Sequence, residues 1–211
     1  MQIAVVVYDR FTALDAVGPY EVLSRAPGAE TVFVAERPGP VRTDTGALAV
    51  VADRSLDEVR GPDVVLVPGG PGQSALMEHG PLLDWLRAAD ATSTWTTSVC
   101  TGSLLLAAAG LLDGRRATSH WLALDQLERF GAAPAEERVV FDGKYVTAAG
   151  VSAGIDMGLA LLGRIAGDEH AQAVQLATEY DPRPPYDAGS PHKAPAHLVE
   201  SLRAGSRFIL R

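Results

Sequence analysis

The chain has a single cysteine, Cys100, in the run Ser98-Val99-Cys100-Thr101-Gly102-Ser103. This run reads as the end of a short strand, a turn at Cys100 and the start of an apolar helix through Leu104-Leu105-Leu106-Ala107. The first amides of a helix lack internal partners and carry partial positive charge. A thiol at the turn faces the N–H groups of Thr101, Gly102 and Ser103, which favour the nucleophilic thiolate. The position therefore predicts a thiol pKa below that of a free cysteine. Gly102 leaves room for the backbone to approach a reacting group. Two readings stand on these residues alone: an activated nucleophile, or a small buried hydrophobe.

Asp15 is the second group of interest. It lies near the end of the first strand-to-helix connection, where ligands gather in open α/β sheets. A helix cap or a solvated acid is the alternative reading. Pro68-Gly69-Gly70-Pro71-Gly72 follows a core strand, and Gly70 to Ala75 fits the pattern GxGxxA. Pro71 removes one of the amides needed to cradle phosphate, and no acidic ribose ligand follows in the expected context, which disfavours a dinucleotide site. What remains is a tight turn, or a turn whose amides stabilise developing negative charge. His120 reads either as a structural histidine at a strand end or as a partner of the thiol. His79, His170, His192 and His197 lack zinc-ligand spacing, so no metal is expected.

The elements that must position these groups alternate along the chain. Residues 2–8 are a β-branched run, a buried strand. A helical pattern over about 13–24 contains Pro19, which predicts a kink or a late start. Further strands are expected at 30–36, 63–67 and 95–99, and a hairpin at 41–45 and 48–51 around Gly46. Helices are expected over 73–90, from Cys100 to about 109, over 122–130, 155–165 and 168–180. Residues 139–141 and 145–148 form a second hairpin on Asp142-Gly143. From about 180 a Pro-rich extended segment runs into a tail with one short helix. The whole predicts one α/β domain over 1–211, a mostly parallel sheet with helices on both faces.

Composition narrows the function classes. A formal net charge of −8 over 211 residues argues against nucleic acid or an anionic membrane as the main partner. One cysteine cannot form an internal disulfide, so a reducing, cytoplasmic setting is expected. The start Met1-Gln2-Ile3-Ala4-Val5-Val6-Val7-Tyr8 has no basic region and no long apolar core of a signal peptide. No apolar run reaches membrane-spanning length.

The run Ser98 to Ser103, continued by Ala108-Ala109-Gly110-Leu111-Leu112 and Arg115-Arg116-Ala117-Thr118-Ser119-His120-Trp121, resembles the ThiJ/PfpI superfamily. Phe11, Leu14-Asp15, Gly18-Pro19 and Glu21-Val22 match its first connection, and Pro68 to Gly72 its oxyanion-site turn. The stretch Tyr180 to Pro191 is similar to the isonitrile hydratase branch. The resemblance implies a flavodoxin-like doubly wound fold. It implies Cys100 as nucleophile, Asp15 as the acid beside it, and Thr101 holding the reacting group. By the same resemblance Gly70 is a second oxyanion donor, with Gly102 and His120 at the substrate. A peptidase-like branch has His directly after the cysteine; Thr101 stands there instead. The implied reaction is hydration of an isonitrile to an N-substituted formamide through a thioimidate on Cys100, without metal or organic cofactor, in a homodimer. Trp121 and Tyr180 are candidate pocket walls. Two other classes remain: a glyoxalase- or deglycase-like enzyme on small 2-oxoaldehydes, and a free-standing sensor domain related to AraC-type regulators. The latter regulators need a DNA-binding region for which no segment is recognised.

Overall fold

The structure, a computed structural model, describes residues 1–206. Strands β1 (Gln2–Val6), β2 (Glu30–Ala35), β3 (Gly39–Arg42), β4 (Ala49–Ala52), β5 (Arg54–Ser55), β6 (Val64–Val67), β7 (Trp95–Val99), β8 (Arg116–Ala117), β9 (Ala133–Pro134), β10 (Val139–Asp142) and β11 (Tyr145–Ala148) alternate with helices. The helices are α1 (Ala13–Leu23), α2 (Pro81–Asp90), α3 (Gly102–Ala108), α4 (Ala153–Ala166), α5 (Asp168–Ala177) and α6 (Ala196–Ala204). Seven strands form one sheet in the order β10-β11-β7-β6-β1-β2-β5, parallel throughout except for the β10–β11 pair. Val5 pairs with Phe33 on one side and Leu66 on the other. Central strands covered on both faces need apolar side chains at successive positions, not at alternate ones. Accordingly Ile3 to Val6 and Val64 to Val67 are all buried.

The connections β1–α1–β2 and β6–α2–β7 run toward opposite edges of the sheet. Parallel crossovers are right-handed, so α1 and α2 lie on opposite faces. The contacts agree: α4 packs on α1, and α3 packs near α2. The strand order reverses between β1 and β6, which is where a doubly wound sheet opens a crevice. The expected mostly parallel sheet, with helices around it, is present.

Several local expectations differ. Pro19 lies within α1, which neither starts late nor ends there. Its neighbours explain the tolerance: a Cβ on Gly154 would stand 3.0 Å from Pro19 Cδ, and one on Gly158 3.4 Å from Pro19 Cα. Close packing of α1 on α4 outweighs the lost helix bond. The helix expected over 73–90 is broken into a 3-10 turn at Pro71–Leu76 and α2. Gly80 has φ 141° and Pro81 opens α2, so the pattern cannot run through. Residues Leu124–Phe130 are 3-10 helix, not α-helix. The first hairpin pairs Gly39–Arg42 with Ala49–Ala52, offset from the expected register. The tail helix is α6, which buries none of its residues. Among the described residues no helix is long and apolar enough to cross a membrane.

Candidate active site

Cys100 directly follows β7 and has φ 59°, left-handed for a residue with a side chain. Such a conformation persists only where its surroundings over-determine it. The Cys100 N–H is within hydrogen-bonding distance of both the Ala148 and Ala149 carbonyls, 3.0 Å each. Its carbonyl accepts from the hydroxyls of Ser103 and Ser119, 3.1 Å each. Gly102 passes so close to β6 that a Cβ there would stand 2.1 Å from the Val67 carbonyl oxygen. The thiol is fully buried.

Asp15 is also fully buried, in the first turn of α1. Its Oδ2 accepts the Gly69 N–H at 3.0 Å. Oδ1 has no hydrogen-bond donor among the described residues. Burial pushes the Asp15 pKa up to about 7, against the opposing pull of the Cys100 thiol and the Gly69 amide. Burial first, and then the Asp15 charge, push the Cys100 thiol well above its usual range. The amides of Thr101 and Val151 favour the thiolate but do not outweigh those two causes. The expectation of a lowered thiol pKa is therefore corrected: helix-start amides lose to burial beside a second acid. At neutral pH the pair holds at least one proton between sulfur and carboxyl.

Thr101 is buried, and its Oγ1 accepts the Gly70 N–H at 3.0 Å. The Gly70 amide is thus engaged, and it positions the threonine hydroxyl in place of offering a free oxyanion donor. The glycines permit this approach. A Cβ on Gly69 would stand 2.4 Å from the Thr101 nitrogen, and one on Gly70 2.6 Å from the Thr12 nitrogen. The turn is also held by Tyr8, whose hydroxyl donates to the Pro68 carbonyl at 2.9 Å, and by the Thr12 N–H on the Gly69 carbonyl at 2.8 Å.

Residue types gave no sign of Val151. It has φ 37°, a rare conformation for a β-branched residue, and its N–H faces the Cys100 sulfur. The neighbouring Gly150 abuts His120: a Cβ there would stand 2.7 Å from the ring Cδ2. His120 Nδ1 accepts the Leu122 N–H at 3.2 Å, so the neutral ring carries its proton on Nε2. The ring stacks on Trp121 with centroids 6.0 Å apart.

Beside these residues lies a cleft of about 930 Å³, walled by Thr118, His120, Trp121, Leu124, Gly150 and Val151. Gly189 to His192 and Arg203 complete its wall, so the extended tail packs over it. Trp121, a candidate pocket wall, lines this cleft. Tyr180 instead anchors the tail: its hydroxyl donates to Asp156 Oδ1 at 3.0 Å, and Arg138 bonds the same carboxylate and Ser152. The structure thus gathers Cys100, Asp15, Thr101, Gly69 and Gly70 into one buried cluster, with Gly102 beneath it and His120 at the cleft. Among the described residues no group of three or more His, Cys, Asp or Glu side chains is placed to hold a metal ion.

Comparison with known proteins decides the family. Residues 1–164 match the DJ-1/PfpI family model. The chain belongs to the DJ-1/PfpI family. It is 43% identical over 203 residues to a protein named isonitrile hydratase from Pseudomonas putida, covering 96% of this chain and 89% of that one. A crystal structure of a ThiJ/PfpI family protein from Pseudomonas syringae superposes with a TM-score of 0.93 at 41% identity, over 96% of this chain and 84% of that one. The HTH-type transcriptional regulator CdhR of Pseudomonas aeruginosa is 34% identical over 144 residues, 67% of this chain but 42% of the regulator. In the DJ-1/PfpI family this chain thus has a near-full-length likeness to a hydratase and a partial one to a regulator.

Proposed function

We propose that this protein adds water to isonitriles, giving N-substituted formamides by covalent catalysis on Cys100. The observation that carries this reading is the buried Cys100–Asp15–Thr101 cluster in a chain 43% identical to the Pseudomonas putida hydratase across nearly the whole of both proteins.

Asp15, with a pKa near 7, is partly charged at neutral pH and can both take and return a proton. The thiol is mostly protonated at rest, so its proton must leave as sulfur attacks. The Asp15 carboxylate takes that proton while sulfur bonds to the terminal carbon of R–N≡C. The protonated carboxyl then gives the proton to the same carbon, leaving Cys100–S–CH=N–R. Water adds to this thioimidate carbon, the carbon–sulfur bond breaks, and the thiol regains a proton as R–NH–CHO leaves. The sum is one isonitrile and one water to one formamide. The Thr101 hydroxyl, its oxygen held by Gly70, is free to donate to the nitrogen or to the attacking water. The amides of Thr101 and Val151 stabilise the sulfur as it gains charge. No step calls on a metal or an organic cofactor. A single free thiol fits a reducing, cytoplasmic setting.

The test is turnover by the purified protein. A small alkyl isonitrile should be consumed with one equivalent of N-alkylformamide appearing by proton NMR, and methylglyoxal should be unchanged. Turnover of methylglyoxal instead would favour the 2-oxoaldehyde reading. Turnover of neither would favour a ligand sensor.

A further inference from the structure

The glycine-rich turn after β6 borders a second cleft, of about 590 Å³, which none of Cys100, Asp15 or Thr101 lines. It opens outside the carboxyl ends of β1 and β2, next to the reversal of strand order, where doubly wound sheets collect ligands. Its floor is apolar: Val6, Val7, Leu56 and Leu82 line it and are all buried. Its mouth is not. Arg10, Arg37 and Arg42 line it together with Asp9 and Glu36.

Three arginines at one opening stand out in a chain of net charge −8. Arg42 is occupied, donating to the carbonyls of Gly46 and Ala47. The guanidinium groups of Arg10 and Arg37 form no hydrogen bond or ion pair with any described residue, although Asp9 and Glu36 adjoin them in sequence. Arg10 is held at φ 63°, a strained backbone for a residue with a side chain. Its N–H donates to the Arg42 carbonyl at 2.9 Å, and its own carbonyl accepts from Gly72 at 3.4 Å. Gly72 makes the clamp possible, since a Cβ there would stand 1.9 Å from the Asp9 carbonyl oxygen. The backbone of Arg10 at the mouth is therefore held in place, and the exposed side chains of Arg10 and Arg37 line the opening.

We propose that this cleft binds a small molecule with an apolar body and a single anionic head, such as a medium-chain carboxylate. The volume falls in the range of small-molecule sites. The apolar floor takes the body, and Arg10 and Arg37 take the head by charge-assisted hydrogen bonds. Asp9 and Glu36 leave the mouth with one net positive charge, which selects a monoanion over a polyphosphate. The proposal does not depend on the reaction at Cys100.

The test is calorimetric titration of the full-length protein with octanoate. One site is expected, and Cys100→Ala should bind as the wild type does, because Cys100 does not line this cleft. The double variant Arg10→Gln/Arg37→Gln should bind at least about tenfold more weakly, since each arginine supplies charged contacts to the head. Arg37→Glu alone should weaken binding in the same direction; this exposed side chain makes no hydrogen bond or ion pair with any described residue, so the variant keeps the test open if the double variant does not fold. Octan-1-ol and inorganic phosphate should each bind more weakly than octanoate. Absence of octanoate binding, equal affinity in the arginine variants, or loss of binding in Cys100→Ala would overturn the assignment. So would retention on phosphatidylglycerol vesicles that octanoate does not displace.

Discussion

Replacing Asp15 by asparagine should make this protein both more stable and nearly inactive. The side chain is fully buried, and its carboxyl ionises near pH 7, whereas the unfolded chain has the ordinary value of 3.8. The folded state therefore holds a proton that the unfolded state has already lost. Stability from this group is complete below the unfolded pKa and falls as pH rises through 7, the reverse of a salt-bridged carboxylate. With those two pKa values, integrating over the window from about pH 5 to about pH 8 predicts that the wild type loses ~2–3 kcal/mol relative to Asp15→Asn. Asparagine keeps an acceptor for the Gly69 N–H and has no charge to desolvate. It also removes the charge that raises the Cys100 thiol, so iodoacetamide should alkylate Cys100 in the variant at least as fast as in the wild type near pH 8. Turnover should move the other way. Asparagine cannot carry a proton from sulfur to carbon, and general acid–base catalysis is worth roughly a hundred- to ten-thousand-fold. Urea unfolding at the two pH values, alkylation followed by mass spectrometry, and formamide production give the three readings. A variant that keeps more than about a tenth of the wild-type kcat, well above that range, would remove Asp15 from the chemistry and turn attention to His120 or Thr101. A stability difference independent of pH would refute the buried-proton argument.

Thr101→Val keeps the shape but leaves the buried Gly70 N–H without its acceptor, so stability should fall by ~1–3 kcal/mol in urea unfolding and kcat by about tenfold or more, the scale of a lost transition-state hydrogen bond. Gly102→Ala puts a methyl 2.1 Å from the Val67 carbonyl oxygen; it should cost about 3 kcal/mol or more, and an unchanged melting temperature would contradict the close approach of α3 to β6. Tyr180→Phe removes the hydroxyl that bonds Asp156 and should cost only ~0.5–1.5 kcal/mol, with the main effect an earlier proteolytic cut in the tail beyond residue 180. Leu48 and Val51 on the β3–β4 hairpin and Leu198 and Leu202 on α6 are exposed; the chain should sediment as a homodimer at micromolar concentration, and a monomer would count against that expectation.

Much of this arrangement could be read from residue order. A lone cysteine between a β-branched run and an apolar helix, and an acid after the first strand, sit where the doubly wound sheet places them, because each is fixed by its own strand end. What could not be read depends on contacts between distant segments. Val151 follows a glycine in an apolar stretch, and nothing in its type signals a positive φ or an amide aimed at sulfur. The Gly70 amide looks free in a turn and is occupied only because α3 brings Thr101 onto it. The direction of the thiol pKa depends on how deeply Cys100 is buried and on a carboxyl 85 positions away, so helix-start reasoning alone gave the wrong sign. Gly80-Pro81 interrupts a pattern that periodicity read as continuous. Tyr180 could be read only as a candidate pocket wall, not as the tail's anchor, because Asp156 and Arg138 come from different elements.

The central claim is that isonitrile carbon becomes bonded to Cys100. The most direct measurement is intact-protein mass spectrometry of samples acid-quenched at increasing times after mixing with an excess of a small alkyl isonitrile. The wild type should gain the whole mass of the isonitrile, because the thiol proton is retained on the new carbon, and peptide mapping should place the gain on Cys100 before formamide accumulates. Cys100→Ala should show neither adduct nor product. Formamide produced by Cys100→Ala at the wild-type rate, or an adduct mapped to any other residue, would contradict the account.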